Sequence, residues 1–281
     1  TQIQLNWLPR YDLMDAETYK LYDDRAYDEA ILAGVAGVTN RQDHYKANTD
    51  WQDEMLRTGL LQNYNVALSG GNDNLNFYTS FNYLNDKGAM KYTGFDKYGF
   101  RVNTAGKKGI FSYGENLYYT YSKTKVLNGI GNVWSNFISM PPTIPVRDPE
   151  HGSGFGYGDS NHANSYGLNP VAMQELENRV NKQEYLFGNI YGQVEYPEWA
   201  RAKVNVAYKT YNGTTDKLRK TGSWTMGQGD DAADISWNES RYHDILIEQT
   251  YEFFHKFGGH DINVLAGMSY NHFTSNDKGI S

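Results

Sequence analysis

The sequence predicts an all-β protein, an antiparallel transmembrane β-barrel. The predicted strands are about 9–13 residues long, which is the length that a tilted membrane strand requires. Apolar and polar side chains alternate along each strand, so that every strand has one apolar and one polar face. Short turns alternate with longer connections, which places short turns on one side of the barrel and long loops on the other.

The alternation is clearest between residues 49 and 103. In residues 62–69, for example, the apolar set consists of Tyr64, Val66 and Leu68. Such a period of two is typical of strands that lie between an apolar and a polar environment. The other predicted strands are residues 3–7, 75–84, 95–103, 109–122, 184–196, 200–211, 243–257 and 261–271.

Capping residues predict three short helices. Asp15 and Asp50 are each followed by residues suited to a helix, and both are candidate N-caps. Asn169 and Pro170 predict a helix over residues 170–180, with asparagine as the N-cap and proline in the first turn.

Two long loops are predicted at residues 123–183 and 212–241. The first is rich in Pro, Gly, Ser and Asn. Loops of this length inside a compact domain are uncommon unless they have a function. We therefore expect both loops to contribute to binding.

The composition limits the classes of function. Tyr, Phe and Trp make up 15% of the 281 residues, as the aromatic girdles of a membrane barrel require. Mean hydropathy is −0.71, and no apolar run approaches the roughly 18 residues of a membrane helix. Cysteine is absent, which excludes disulfides and cysteine-bound zinc. A net charge of −7 argues against nucleic acid as a partner.

Several motifs together carry a resemblance to a known family. They are LMDAETYKL, TDWQDEMLRTG, QNYNVALSGGNDNLNFYTSFNYLNDKGAMKYTGFDKYGFRVN and NLYYTYSKT. This combination resembles the SusC/RagA family of TonB-dependent outer-membrane transporters of Bacteroidota. The resemblance covers residues 10–125 and is diffuse beyond them.

The resemblance implies a large barrel of about 22 strands around an internal plug. It also implies import of oligosaccharides or peptides across the outer membrane, with a SusD-like surface lipoprotein as a lid and with energy supplied through the TonB complex. Roughly nine predicted strands cannot close such a barrel, and neither a plug nor a TonB box is found. We therefore expect the chain to be one part of a barrel surrounded by membrane lipid.

Aromatic residues in the two loops are candidates for contact with glycan, peptide or the lid partner, because aromatic faces stack on sugars and anchor interfaces. These candidates are Trp134, Phe155, Tyr157, Tyr166, Trp224 and Trp237. The alternative is that they pack the loops against the barrel rim. Arg101, Lys203 and Glu248 are candidates for lining the lumen or for ion pairs across the wall. Glu115 lies on the apolar side of its strand, which predicts either a shift in register or a position near the rim.

No catalytic, cofactor or metal-binding constellation is found, and we predict that the protein is not an enzyme. The seven histidines lack metal-ligand spacing. Asp230, Asp231 and Asp234 could bind calcium through oxygen ligands, although a solvated acidic loop is the simpler explanation.

Two other classes of protein remain open. One is a passive porin or a surface adhesin built on a barrel, and a plug and TonB box in the full gene would argue against it. The other is a soluble glycan-binding β-protein, in which the apolar faces would form a shared core. Only a membrane barrel should require detergent for extraction.

Overall fold

The computed structural model describes residues 1–127, 133–158, 168–223 and 233–280. Within them, nine strands form one antiparallel sheet in which the spatial order follows the chain. The strands are β1 (Gln2–Asn6), β2 (Gly59–Asn72), β3 (Leu75–Lys87), β4 (Gly94–Lys108), β5 (Phe111–Val126), β6 (Glu177–Glu195), β7 (Ala200–Arg219), β8 (Asp234–Phe257) and β9 (His260–Ile280). In the described part of the chain β1 and β9 are the two edges, so the sheet is open. The predicted all-β antiparallel class is confirmed.

One side of the sheet is apolar. Val66, Phe81, Phe100 and Tyr119 lie opposite one another on β2 to β5 and define this apolar face. Val66 is 71% exposed to the surroundings. Burying such a side chain away from water contributes about 1.5–3 kcal/mol, so a whole face of exposed apolar residues requires a non-aqueous environment. In a membrane barrel that environment is lipid.

The connections differ at the two ends of the sheet. Residues 73–74, 109–110, 196–199 and 258–259 form the short connections at one end, which we call the turn end. Residues 7–58, 88–93, 127–176 and 220–233 connect the strands at the other end, the loop end. This separation confirms the prediction of short turns on one side and long loops on the other.

The apolar band crosses the sheet obliquely. Direct strand pairing leads from Tyr83 on β3 through Tyr98, Tyr121, Glu184 and Asn212 to Arg241 on β8. On β3 the apolar residues of this band begin at Tyr83, whereas on β8 they begin at Ile245. Ile245 is four residues (245 − 241) closer to the turn end than Arg241, the residue to which the pairing leads. A shift of about 13 Å along the strand over five inter-strand steps of about 4.8 Å gives a tilt of about 30°. Strands that are inclined to a lipid layer produce this drift.

The strands extend further into the predicted loops than the sequence indicates. β5 ends at Val126 and β6 begins at Glu177, so the first loop comprises residues 127–176 rather than 123–183. The second comprises residues 220–233 rather than 212–241. At the loop end both faces of the strands are polar, as the Lys182–Asp216 ion pair on the side of the apolar face illustrates. Backbone pairing therefore continues where the alternation in hydrophobicity stops.

Four helices lie among the loop-end connections of the described residues. The helices are α1 (Ala16–Leu32), α2 (Trp51–Met55), α3 (Val133–Ser139) and α4 (Pro170–Leu176). The predicted N-caps are confirmed: Asp15 accepts a hydrogen bond from the Thr18 backbone, and Asp50 and Asn169 cap α2 and α4 in the same way. α4 is shorter than predicted because Glu177 is already extended and begins β6. No described helix is both long and apolar enough to cross a membrane.

The buried core lies at the loop end. Met55, Phe137 and Ile144 are completely buried there. A hydrogen bond also links the segments around these residues, because the Trp51 indole N–H donates to the Pro141 carbonyl over 3.0 Å. The full cluster contains Trp51, Met55, Phe137, Met140, Ile144, Phe155, Val171, Ala172, Met173 and Leu176. The loops thus form a packed unit of their own, which joins α2, α3 and α4.

Leu68 and Ala67 test the assignment of the two faces. Leu68 lies on the apolar face near the middle of the band, and Ala67 lies next to it on the polar face. In the full-length protein, Leu68→Lys should reduce the free energy of unfolding from lipid vesicles by about 2–4 kcal/mol, the cost of a lysine at the bilayer centre. Ala67→Lys should cost much less. Equal losses would contradict the assignment.

Asn169 tests the loop-end core. Its buried side chain accepts from the Val171 and Ala172 backbones and donates to the carbonyls of Val146 and Gly156. Asn169→Ala should destabilise the loops by about 2–3 kcal/mol, because it removes a helix cap and leaves buried carbonyls unbonded. Hydrogen exchange of residues 140–176 should accelerate. The exposed control Asn178→Ala should leave the exchange unchanged.

Candidate functional site

A continuous row of hydrogen bonds crosses the polar face of β5 to β8. The Asn116 amide donates to Asn189 over 3.0 Å, Asn189 donates to Asn205 over 2.9 Å, and Asn205 donates to the Glu248 carboxylate over 3.0 Å. We call these four residues the amide row. Because each amide is oriented by its neighbour, the remaining donors and acceptors of the row have fixed positions.

A recess of about 260 Å³ lies beside the amide row. It is lined by Asn189, Asn205 and Glu248 together with Lys203 and Thr250. The Lys203 ammonium lies 4.6 Å from the centre of the Tyr191 ring, where the ring attracts a cation. The recess therefore offers amides, a hydroxyl and one charge of each sign, a set suited to ligands rich in hydroxyl or amide groups.

Arg101 lies on the polar face of β4, in a second recess with Asn65, Ser80 and Asn82. Its guanidinium is 4.9 Å from the centre of the Tyr118 ring on the adjacent strand. Arg101, Lys203 and Glu248 are thus all on the polar face, where the alternation predicts them. Their part in transport remains a prediction.

A charged group near the turn end was missed in the sequence. Arg201 donates to Glu195 over 3.1 Å and to Glu252 over 3.0 Å. Glu195 and Arg201 are direct partners across the short turn between β6 and β7. The short turn in the sequence is enough to predict the Glu195–Arg201 pair. The contact of Arg201 with Glu252 could be predicted only from the register between β7 and β8.

Glu115 lies on the apolar face of β5, directly between Thr104 and Ile190. The pairing of β5 is unbroken on both sides, so no shift in register explains this position. Glu115 is four residues (115 − 111) from Phe111, where β5 begins. It therefore belongs to the turn-end part of the strand, the second of the two predicted alternatives.

A cleft of about 500 Å³ lies at the loop end. Its walls are residues 10–15, 48–52 and 138–142. The Gln52 side chain accepts from the Tyr11 backbone N–H over 2.7 Å and donates to the Tyr11 carbonyl over 2.8 Å. Arg10 forms ion pairs with Asp50 and Asp53. These contacts fix the segment before α1 against α2, so the cleft has a defined shape.

Trp134 and Tyr157 are in the loop-end unit. The Trp134 ring packs edge-on against Tyr11, with a centroid distance of 6.1 Å, and against Phe137 at 5.0 Å. Trp134 therefore supports an aromatic residue of the cleft wall. Tyr157 stacks on His151 with a centroid distance of 4.0 Å and is half-buried.

Two of the predicted contact residues need correction. Phe155 is only 3% exposed, and the central carbon of the Arg147 guanidinium lies 4.1 Å from the centre of its ring. Phe155 therefore packs in the loop core instead of facing a ligand. Trp237 is not in a loop but in β8, where it pairs with Asp216 and Ile280. Tyr166, Trp224, Asp230 and Asp231 lie outside the described residues.

A hydrogen-bonded clip joins two of the loops. Tyr92 donates to Glu175 over 3.1 Å, and Arg147 donates to the other oxygen of the same carboxylate over 2.6 Å. Burial, followed by the negative charge of Glu175, raises the pKa of Tyr92 to about 12. Tyr92 therefore stays protonated at physiological pH and keeps connecting residues 88–93 to α4.

Among the described residues, no group of three or more His, Asp or Glu side chains is arranged to bind a metal ion. Asp234, one of the three aspartates for which a solvated acidic loop is a simpler explanation than calcium binding, is the first residue of β8.

An antiparallel tilted sheet with one apolar face, one polar face and long loops at a single end defines the chain as part of an outer-membrane β-barrel. Comparison with known proteins agrees. The chain is 24% identical over 298 residues to the TonB-dependent receptor SusC of Bacteroides thetaiotaomicron, which covers 95% of this chain and 27% of the relative. It is 25% identical over 270 residues to the TonB-dependent receptor P3 of Formosa agariphila, covering 92% of this chain and 25% of that relative.

Solved structures show the same fold. The chain superimposes on the RagAB peptide importer in its closed-closed state with a TM-score of 0.71 at 15% identity, covering 99% of this chain and 34% of that one. No family model matches the chain. It spans about a quarter of the length of the curated relatives. The resemblance to the SusC/RagA transporters is thus confirmed for part of the barrel, and these relatives are receptors and importers, not enzymes.

Gln52 tests how the loop-end cleft is held together. Gln52→Ala removes both hydrogen bonds to the Tyr11 backbone, which are worth about 1 kcal/mol each. We expect faster proteolytic cleavage within residues 7–15 while the sheet stays intact. Gln62→Ala, a change on β2 outside the cleft, is the control. An unchanged cleavage rate in Gln52→Ala would show that other contacts hold the segment.

Proposed function

We propose that the chain forms part of the barrel of an active importer, which takes oligosaccharides or peptides across the outer membrane. A SusD-like surface lipoprotein covers the loop end, and the TonB complex supplies energy through other parts of the protein. The observation that carries the proposal is the preorganised polar face, with its amide row, in a fold similar to that of the RagAB peptide importer.

The polar face suits a transported ligand better than a tightly bound one. Amides and hydroxyls form hydrogen bonds of modest net strength, about 1 kcal/mol each, and several of them can be exchanged in succession. Lys203 and Glu248 add one charge of each sign beside the row. Arg101, Lys203 and Glu248 accordingly line the lumen in this proposal.

The loop-end cleft is the proposed place of first contact. It lies on the external side, because the long loops of such barrels are external. Tyr11, supported by Trp134, presents an aromatic surface there that is 52% exposed. Tyr157, together with Tyr166 and Trp224, remains a candidate for contact with substrate or with the lipoprotein.

Uptake by cells that make the full-length protein tests this proposal. Labelled oligosaccharides and labelled peptides should be offered separately, with and without a functional TonB complex. We expect uptake of one of the two classes, and we expect it to stop when TonB is inactive. Uptake that continues without TonB would indicate a passive porin, and surface binding without uptake would indicate an adhesin.

Asn205→Leu tests the amide row within the same assay. The substitution removes an amide from the middle of the row, so each lost ligand hydrogen bond of about 1 kcal/mol should lower uptake about fivefold. Val206→Leu, on the apolar face of the same strand, is the matched control and should leave uptake unchanged. Equal uptake by the two variants at equal surface abundance would exclude the row from the transport route.

A further inference from the structure

Four tyrosines mark the loop-end boundary of the apolar band on β2 to β5. Tyr64, Tyr83, Tyr98 and Tyr121 lie opposite one another, with successive ring centroids 6.4, 5.0 and 6.3 Å apart. Tyrosine rings of this kind occupy the level of the lipid headgroups, because their bodies are apolar and their hydroxyls are polar. The row therefore lies in the region of the outer membrane interface, which it crosses at the tilt of the strands.

Three lysines lie immediately beyond this row, on the same face. Lys123 and Lys125 follow Tyr121 on β5 at alternate positions, and both are exposed. Lys182 on β6 is the direct partner of Lys123. Like charges directly opposite each other on adjacent strands are destabilising, and Asp216, which accepts from Lys182 over 2.6 Å, offsets part of this cost.

The neighbouring carboxylates form no ion pair with Lys123 or Lys125 among the described residues. Asp96 is opposite Lys123, and its carboxylate accepts a hydrogen bond from the Asn85 amide over 2.7 Å. Asp216 is engaged by Lys182 over 2.6 Å. Glu184 lies one position closer to the membrane, opposite Tyr121. Within the part of the chain that the structure describes, Lys123 and Lys125 form no ion pair, and the only recorded contact of a charged end is that of Lys125 with the Tyr92 ring at 5.8 Å.

We propose that Lys123, Lys125 and Lys182 form a binding surface for the phosphate groups of lipid in the outer leaflet. By strand register all three lysines are on the lipid-facing side of the sheet, just beyond the tyrosine row. Lysine binds phosphate as a compact point charge, and each lysine near an anionic lipid surface contributes attraction. A phosphate beside Lys123 and Lys125 supplies the ion pair that these two lysines lack among the described residues. Lipid is the occupant because the surface continues the lipid-facing band without interruption.

Binding of phosphorylated lipid A to the full-length protein tests the proposal. The protein is placed in nanodiscs of neutral phosphatidylcholine and titrated with lipid A, and the retained lipid is measured by native mass spectrometry. Lys123→Gln/Lys125→Gln should weaken retention about thirtyfold, the effect of removing two charges near a lipid surface. The matched control is Lys97→Gln, which lies beside Asp96 on β4 but on the polar face, and which should retain lipid like the wild type.

Dephosphorylated lipid A provides a test that needs no variant. The wild-type protein should retain it far more weakly than the phosphorylated form. Equal retention of the two lipids would overturn the proposal, because acyl chains alone would then explain binding. Equal retention by the double variant and by Lys97→Gln would overturn it as well, provided that both variants show the gel mobility of a folded barrel.

Discussion

The strands of this chain must pair their backbones completely, because lipid offers no partner for an unbonded N–H or C=O group. The pairing of β2 to β9 is accordingly continuous from one end of each strand to the other. Uninterrupted pairing fixes which side chains face lipid and which face the interior. Both the apolar face and the amide row are consequences, since a slip of one residue would exchange the two faces.

Beyond the membrane this constraint is relaxed, and the loop end is organised differently. There the chain can bury apolar groups, and Met55, Phe137 and Ile144 do so. Buried polar side chains satisfy the backbone at this end, as Asn169 shows by bonding four backbone groups at once. The molecule thus combines a sheet that depends on lipid with a loop unit that has a water-excluding core of its own.

The membrane part of this fold could be predicted from the sequence, because the alternation around Tyr64, Val66 and Leu68 directly reflects two environments. The loop-end limits of the strands could not be predicted, because both faces of the strands are polar there. Trp237 lies in such a region of β8. Tyr11 and Trp134 meet across more than a hundred residues, and no local pattern indicates that contact. The alternation puts Asn116 and Asn189 on the polar faces of their strands, but their pairing depends on the register across residues 127–176. The N-caps were predictable because a cap is a local interaction.

The composition of the amide row suits the transport route that we propose. A site must bind its ligand well enough to attract it but weakly enough to release it to the next site. A buried charge without a partner would bind too tightly or would destabilise the wall. Three asparagines that end at Glu248 avoid both problems, because each amide is partly satisfied by its neighbour and still has hydrogen-bonding capacity left. Neutral amides that follow one another across adjacent strands give the polar face several weak binding positions in place of a single strong one.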